Sequence, residues 1–279
     1  MSNPKTGIFI PCYNVEKSIC KVLDSFSSEV LSFVDTILLI NNCSTDNTLD
    51  VVNNYLNTRS EISKKIVIVS NHENYGLGGS QKIAFNYFIK NSFDYLMIVH
   101  GDNQCDANII SSRFIDLIKS NNPPEFILSS RFAMGADTSS YNFLRRVGNR
   151  FFNYLTTILT GAKISDAGAG VVCLKVDSIK SVNFKSLDNF FHFNPQLNVL
   201  LFSQPKIKIC EVPIMWRDSE SDSNINGLVY SLKLTILLVR YRINLSLLKK
   251  KDDFFSNNDE FNPRYSLLNT KPDEAKTIS

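Results

Sequence analysis

Residues Tyr95–Asp106 read YLMIVHGDNQCD. An unbroken apolar run stops abruptly at a histidine, a glycine and an aspartate. Continuous rather than alternating apolarity marks a strand covered on both faces, as in parallel sheets. A bare carboxylate at the end of such a strand needs a partner, because an unpaired charge there is costly. The same layout occurs three times upstream. GIFIPC (7–12) precedes a helical pattern near Val15–Ser28. TILLI (Thr36–Ile40) precedes STDNTLDVVNNYL, where Ser44 or Asp46 supplies a helix cap. IVIVS (66–70) precedes GGSQKIAFNYFIK, and YLMIV itself precedes ANIISSRFIDLIKS, for which Asp106 is the cap. Four strand-then-helix units in series imply an α/β fold, with a mostly parallel central sheet flanked by helices on both faces.

Beyond that stretch the pattern is less regular. FILSSRF reads as a further strand ending in Arg131. A long amphipathic helix is expected over Tyr141–Thr160, stopped by Gly161. ISDAGAGVVCLK, FFHFNPQLNVLLF and the strand KIKICEVPIMW follow.

With 279 residues, 43% of them hydrophobic, the chain is long enough for a full core in one or two domains. Its formal charge of +3 is too mild to argue for nucleic acid as a partner. The N-terminus lacks the charged-then-apolar layout of a signal peptide. Six cysteines without CxxC spacing argue against a disulfide framework or a zinc site, and for a reduced, cytoplasmic protein. No window approaches the ~18 uninterrupted apolar residues of a membrane span. The nearest, Leu228–Leu248, is broken by Lys233, Arg240 and Arg242.

Ligands of open α/β sheets bind outside the carboxyl ends of the strands. Each strand here delivers polar residues to that edge: PCYN, NNCSTD, NHENYGLGG and HGDNQCD in turn. Loops are polar anyway, and NNCSTD is well explained as a turn and cap. Asp102 is not explained that way.

In this order, IPCYNVE, ILLINNCSTDNT, NYGLGGSQK, MIVHGDNQCDA, SSRFAMG, ISDAGAG and EVPIMW resemble glycosyltransferase family 2, and within it the dolichyl- and polyprenyl-phosphate sugar transferases. The likeness runs from about residue 7 to residue 217. It implies a nucleotide-sugar-binding GT-A fold over 1–226 and an inverting, nucleotide-sugar-dependent transferase. Pro11, Tyr13 and Asn14 would line the base and ribose side of the crevice. Asn41 stands where an aspartate commonly reads the base, keeping a hydrogen bond but losing the charge. Gly76, Gly78 and Gly79 would allow close backbone approach before the third helix, though GLGG is also an ordinary turn. Lys82, Gly101 and Arg131 complete the implied donor side.

Asp102 matches the last carboxylate of the family's DxD motif, where Mn²⁺ or Mg²⁺ neutralises the sugar diphosphate. The first aspartate is replaced by His100, whose imidazole suits Mn²⁺ better than Mg²⁺. As a plain strand-end histidine it would instead be a hydrogen-bonding group. Asp166 matches an aspartate near the acceptor, and its alternative role is capping the AGAG turn. Ala169 replaces a usual serine, and Gln196 stands where an acidic residue is frequent. Few candidates for a general base remain besides Asp166. A sugar hydroxyl needs a base to take its proton. A lipid phosphate, with a second pKa near ~6, does not. This favours a lipid-phosphate acceptor over a growing saccharide, with a non-catalytic nucleotide-binding module as the third reading.

Residues 227–251 form the second predicted unit, a basic amphipathic helix. From Leu228 to Lys251 it has six basic and no acidic residues, with Leu232, Ile236, Val239, Ile243 and Leu247 on one face. It reads either as a core-packing helix with a solvated basic side or as a helix lying on an anionic membrane surface, on the cytoplasmic face. Arg217 and the SESDSN loop before it (219–224) fall at an acceptor-side loop of the family. Residues 252–279 are expected to be a loose tail.

Overall fold

The computed structural model describes residues 3–139, 143–204, 207–217, 232–240, 243 and 261–269. Within them the strands are β1 (Thr6–Cys12), β2 (Thr36–Asn41), β3 (Ile66–Asn71), β4 (Tyr95–Ile98), β5 (Phe126–Ser130), β6 (Val172–Lys175), β7 (Ile209–Pro213) and β8 (Tyr265–Leu267). They form one sheet in the order β7-β5-β6-β4-β1-β2-β3-β8. β1 pairs in parallel with β2 and with β4, β2 with β3, and β5 with β7. β6 and β8 run antiparallel to their neighbours. From β1 the chain moves outward through β2 and β3, then returns to the other side of β1 as β4. Strand order therefore reverses between β1 and β4, where such sheets leave a crevice.

The apolar runs divide between the two faces as the pleat requires. Phe9, Leu38, Ile40, Leu96 and Ile98 pack on one side beneath α5 (Gly76–Lys90), α7 (Phe143–Thr160), α8 (Val176–Lys180) and α9 (Phe193–Phe202). Ile8, Ile10, Ile37, Leu39 and Met97 pack on the other beneath α1 (Ile19–Ser25), α2 (Ser28–Phe33), α3 (Thr48–Thr58) and α6 (Ala107–Ile118); the short α4 (Ser60–Ser63) links α3 to β3. Asp106 caps α6, its carboxylate accepting from the Ile109 amide at 2.9 Å. At α3 the cap residue is Asn47 and makes no side-chain cap bond. Asp46 instead takes both the amide (3.0 Å) and the hydroxyl (2.5 Å) of Thr48. All six cysteines are free, and burial pushes the Cys12 and Cys105 thiols up to about 12, which keeps them protonated and unreactive.

The C-terminal tail is not loose throughout. Residues 265–267 add to β3 as an antiparallel edge strand, and the His72 amide donates to the Arg264 carbonyl. Phe261 packs edge-on against Tyr75 with centroids 5.7 Å apart. The SESDSN loop and most of 227–251 lie outside the described residues.

Candidate active site

The carboxyl ends of β1, β2 and β4 share a backbone feature. Of four non-glycine residues with positive φ among the described residues, three sit there: Asn14 (54°), Cys43 (58°) and Asn103 (59°). Asparagine tolerates this region, whereas cysteine rarely adopts it. Such outliers collect where a turn must present groups to a ligand.

Asn14 ties the first two strand ends together. Its side-chain oxygen accepts from the Thr45 amide at 2.8 Å, and its own amide donates to Ser44 Oγ at 3.1 Å. Tyr13 beside it is exposed, as a base-facing ring would be. Asn41 is buried and its amide is spent locally: Oδ1 accepts from the Ser44 amide and Nδ2 donates to Ser70 Oγ. In this arrangement Asn41 shapes the turn that a base would lie against. Pro11 and Gly101 hold β1 to the Asp102 turn. A Cβ on Gly101 would come within 3.2 Å of the Pro11 carbonyl, and the Gly101 carbonyl accepts from Ser18 Oγ at 2.8 Å.

The glycines before α5 are filled by protein. A Cβ on Gly76 or Gly78 would meet the Asn189 or Asp188 carbonyl at 2.4 or 2.5 Å, and the Gly79 amide donates to the Asn189 carbonyl. In the structure these three glycines admit the 187–190 segment across the start of α5. Lys82 meets the same segment. It is 2% exposed, and its ammonium donates to the Leu187 carbonyl at 2.5 Å and Asn189 Oδ1 at 2.6 Å, 5.0 Å from the Phe261 ring. Burial pulls its pKa down to about 8, with Asp188 opposing. Gln196, expected on the acceptor side, is also taken up here: its Oε1 accepts from the Asp188 amide at 2.7 Å. Lys82→Met should cost about 1–3 kcal/mol in a urea titration, because a buried and a part-buried acceptor lose their donor. Donor KM should hold at temperatures where the variant is folded; a large rise would return Lys82 to the donor site.

Asp166 corrects a second expectation. It is 1% exposed and does not cap the AGAG turn with its side chain. Both oxygens are held by Arg131: Nε to Oδ2 at 2.7 Å, Nη2 to Oδ1 at 2.8 Å, and the Arg131 amide to Oδ2 at 3.0 Å. The guanidinium also lies 5.5 Å from the Trp216 ring. Arg131 thus sits against Asp166, the residue expected near the acceptor. Two residues that the sequence did not single out build this corner. Asn153 of α7 donates to the Ser165 carbonyl and accepts from the Ala167 amide, and Glu211 of β7 takes the Ser165 amide (2.7 Å) and hydroxyl (2.9 Å). Nothing local marks either; both act on segments distant in sequence.

Asp102 is exposed, with Oδ1 accepting the Gln104 amide at 3.1 Å. His100 is partly buried, and its Nε2 is a buried atom without a hydrogen-bond partner. Its ring lies against Gly170, where a Cβ would come within 3.2 Å of it. Ala169 is buried in the same turn, braced by Asn198. Among the described residues no cluster of three or more His, Cys, Asp or Glu could enclose a metal ion. One outward carboxylate plus one orphaned imidazole nitrogen fits a cation whose remaining ligands are diphosphate oxygens and water. The amide of Arg217 donates to the Gln104 carbonyl at 2.9 Å. Its side chain, with Lys21 and Arg113, lines an opening of about 320 Å³ behind the Asp102 turn.

Comparison with known proteins agrees with this geometry. Residues 7–182 match the family model described as Glycosyl transferase family 2. A dolichyl-phosphate beta-glucosyltransferase from Trichomonas vaginalis is 23% identical over 260 residues, covering 89% of this chain and 75% of that protein. A UDP-N-acetylglucosamine–dolichyl-phosphate N-acetylglucosaminyltransferase from Methanococcus voltae is 21% identical over 222 residues, covering 77% and 86%. Among solved structures, glucosyl-3-phosphoglycerate synthase from Mycobacterium tuberculosis, bound to Mn²⁺, UDP and phosphoglyceric acid, superposes with a TM-score of 0.59 at 14% identity, over 86% of this chain and 78% of that one. Mannosyl-3-phosphoglycerate synthase from Rubrobacter xylanophilus gives 0.60 at 12% identity, over 87% and 75%.

Proposed function

The chain belongs to glycosyltransferase family 2, and from that premise we propose that it moves a sugar from a nucleotide-sugar donor to the phosphate of a polyprenyl-phosphate-type lipid, inverting the anomeric carbon. The observation that carries the acceptor assignment is the commitment of Asp166 to Arg131. The carboxylate that the family likeness puts nearest the acceptor already accepts two guanidinium bonds and the Arg131 amide, so both of its oxygens are engaged. An acceptor that arrives as an oxyanion needs no base. The two dolichyl-phosphate relatives support the same reading.

In the reaction an acceptor phosphate oxygen forms the bond to the anomeric carbon while the bond from that carbon to the diphosphate oxygen breaks. The electron pair leaves with the diphosphate, and no proton has to be removed. Tyr13 and the Asn14–Thr45 turn hold the base side. Arg131, fixed by Asp166 and Trp216, keeps a pre-oriented cation at the acceptor end, so little reorganisation is needed during transfer. Asp102 and His100 would hold a divalent cation, which when bound neutralises the leaving diphosphate.

The test is a donor screen with membrane extract, scoring label that partitions into organic solvent. Lipid-extractable sugar without added glycan is expected. Label that becomes incorporated only when a glycan is supplied would favour a saccharide acceptor. His100→Asp should raise activity in Mg²⁺ relative to Mn²⁺, since it restores a hard oxygen ligand. An unchanged ratio would remove His100 from the metal's surroundings.

A further inference from the structure

The outer edge of β3 is closed by a segment from near the end of the chain. Residues 265–267 pair with 69–71, the Leu268 amide donates to the Ile68 carbonyl, and the His72 amide donates to the Arg264 carbonyl, both at 3.0 Å. Asn269 anchors the far end with its side chain. Its Oδ1 accepts from the Ile68 amide at 2.7 Å and its Nδ2 donates to the Ile66 carbonyl at 2.8 Å. Covering an edge guards it against stray strand pairing. The near end of the segment also holds Tyr75, the residue just before α5. The Tyr75 hydroxyl accepts from the Arg264 amide at 2.8 Å, and its own proton has the Glu73 carboxylate at 3.1 Å or the Arg264 carbonyl at 3.2 Å as acceptor. Phe261 sets its ring edge-on against the Tyr75 ring.

Through its backbone, Tyr75 reaches the side of the crevice assigned to the base. Its amide donates to Asn42 Oδ1 at 3.0 Å, an atom that also accepts from Asn71 Nδ2 at 2.9 Å. Asn42 Nδ2 donates to Asn74 Oδ1, and the Asn42 amide to the Cys12 carbonyl, each at 2.8 Å. Asn42 and Asn71 are 5% and 4% exposed, so these bonds form away from water, where they fix geometry most firmly. One buried residue therefore joins the ends of β1, β2 and β3 to the start of α5. It adjoins Asn41, whose Oδ1 accepts from the Ser44 amide and shapes the turn that a base would lie against. Every step of the path Arg264, Tyr75, Asn42, Asn41 is a hydrogen bond or a peptide bond.

We propose that the 261–266 segment is a positioning element of the donor site, with Tyr75 as the positioning residue through which it holds the Asn41–Asn42 turn against the nucleotide base. The inference rests on the nucleotide-sugar reading above and adds to it a part for the C-terminal segment. Its effect is confined to one end of the donor. Asp102 follows β4, and Arg131 and Asp166 adjoin β5 and β6, all on the far side of β1 from β2 and β3. Loosening the segment therefore weakens nucleotide binding and leaves the transfer step alone.

The experiment is titration of the full chain with UDP, GDP, UDP-glucose and GDP-mannose in Mn²⁺, with kcat measured in the membrane-extract assay for the donor that binds. Tyr75→Phe deletes only the hydroxyl, and Phe261→Leu deletes the ring contact. Each should raise Kd roughly three- to tenfold, by the same factor for the free nucleotide and its sugar-bearing form, with kcat held. Asn269→Ala is the control. It loses two bonds at the far end of β3, so its urea midpoint should fall while donor Kd stays within about twofold of wild type. Wild-type Kd in Tyr75→Phe overturns the proposal, as does a fall in its kcat at unchanged Kd. An equal rise of Kd in Asn269→Ala overturns it too, for then the segment only stabilises the sheet. Wild type binding none of the four ligands would instead count against the nucleotide-sugar reading itself, and the inference would fall with it.

Discussion

Asp102→Asn is expected to reduce transfer by roughly two to four orders of magnitude, the size of effect seen when one preorganised charge-stabilising group is lost. The substitution isolates charge. An asparagine oxygen can still accept the Gln104 amide, so the turn keeps its internal bond. Because Asp102 is exposed, folding stability should move by no more than about 0.5 kcal/mol. What disappears is the negative charge that would face a divalent cation on the donor diphosphate. Raising Mn²⁺ should recover only part of the rate, since metal affinity and placement both depend on the carboxylate. Steady-state kinetics across a Mn²⁺ titration reads this directly. Normal turnover in the variant would falsify the assignment of Asp102 to the metal.

Arg131→Leu should cost about 3–5 kcal/mol of folding stability, because it leaves the Asp166 carboxylate buried and unpaired. Arg131→Leu combined with Asp166→Leu should regain much of that loss, since removing both charges removes the stranded one. Urea denaturation of the two single variants and the double variant measures the coupling. Equal stability of Arg131→Leu and wild type would mean that the pair is not buried as described. Activity separates two roles for Asp166. If it positions Arg131, Asp166→Asn should retain part of the activity, with its loss tracking the weakened guanidinium contacts. If it were the base, Asp166→Asn should abolish transfer while Arg131→Lys left it largely intact.

Much of the fold was legible from residue order. Short apolar runs interrupted by caps and turns are local signals, and β1 to β5 and Asp106 at the start of α6 lie where those signals put them. The antiparallel insertion of β6 was not legible, since VVCLK reads alike in either direction. Nor was the tail's return to β3. A three-residue edge strand is held by its partner and carries no periodicity of its own.

The site divides in the same way. The sequence by itself determined which strand ends carry polar residues, that Asp102 stands at the end of β4, and that a histidine replaces the expected first carboxylate. Those are statements about chain position, and strand alternation makes them readable. Only the tertiary structure decided what each group touches. Lys82 and the GLGG glycines meet the 187–190 segment, and Asp166 is chelated by an arginine 35 residues away. It also decided which side of α7 faces out. Periodicity establishes that a helix has an apolar stripe, but the direction of that stripe depends on what packs against the opposite face. Here Asn153 hydrogen-bonds inward to the Ser165–Ala167 segment beside buried Phe152, and Phe143 and Phe151 face out.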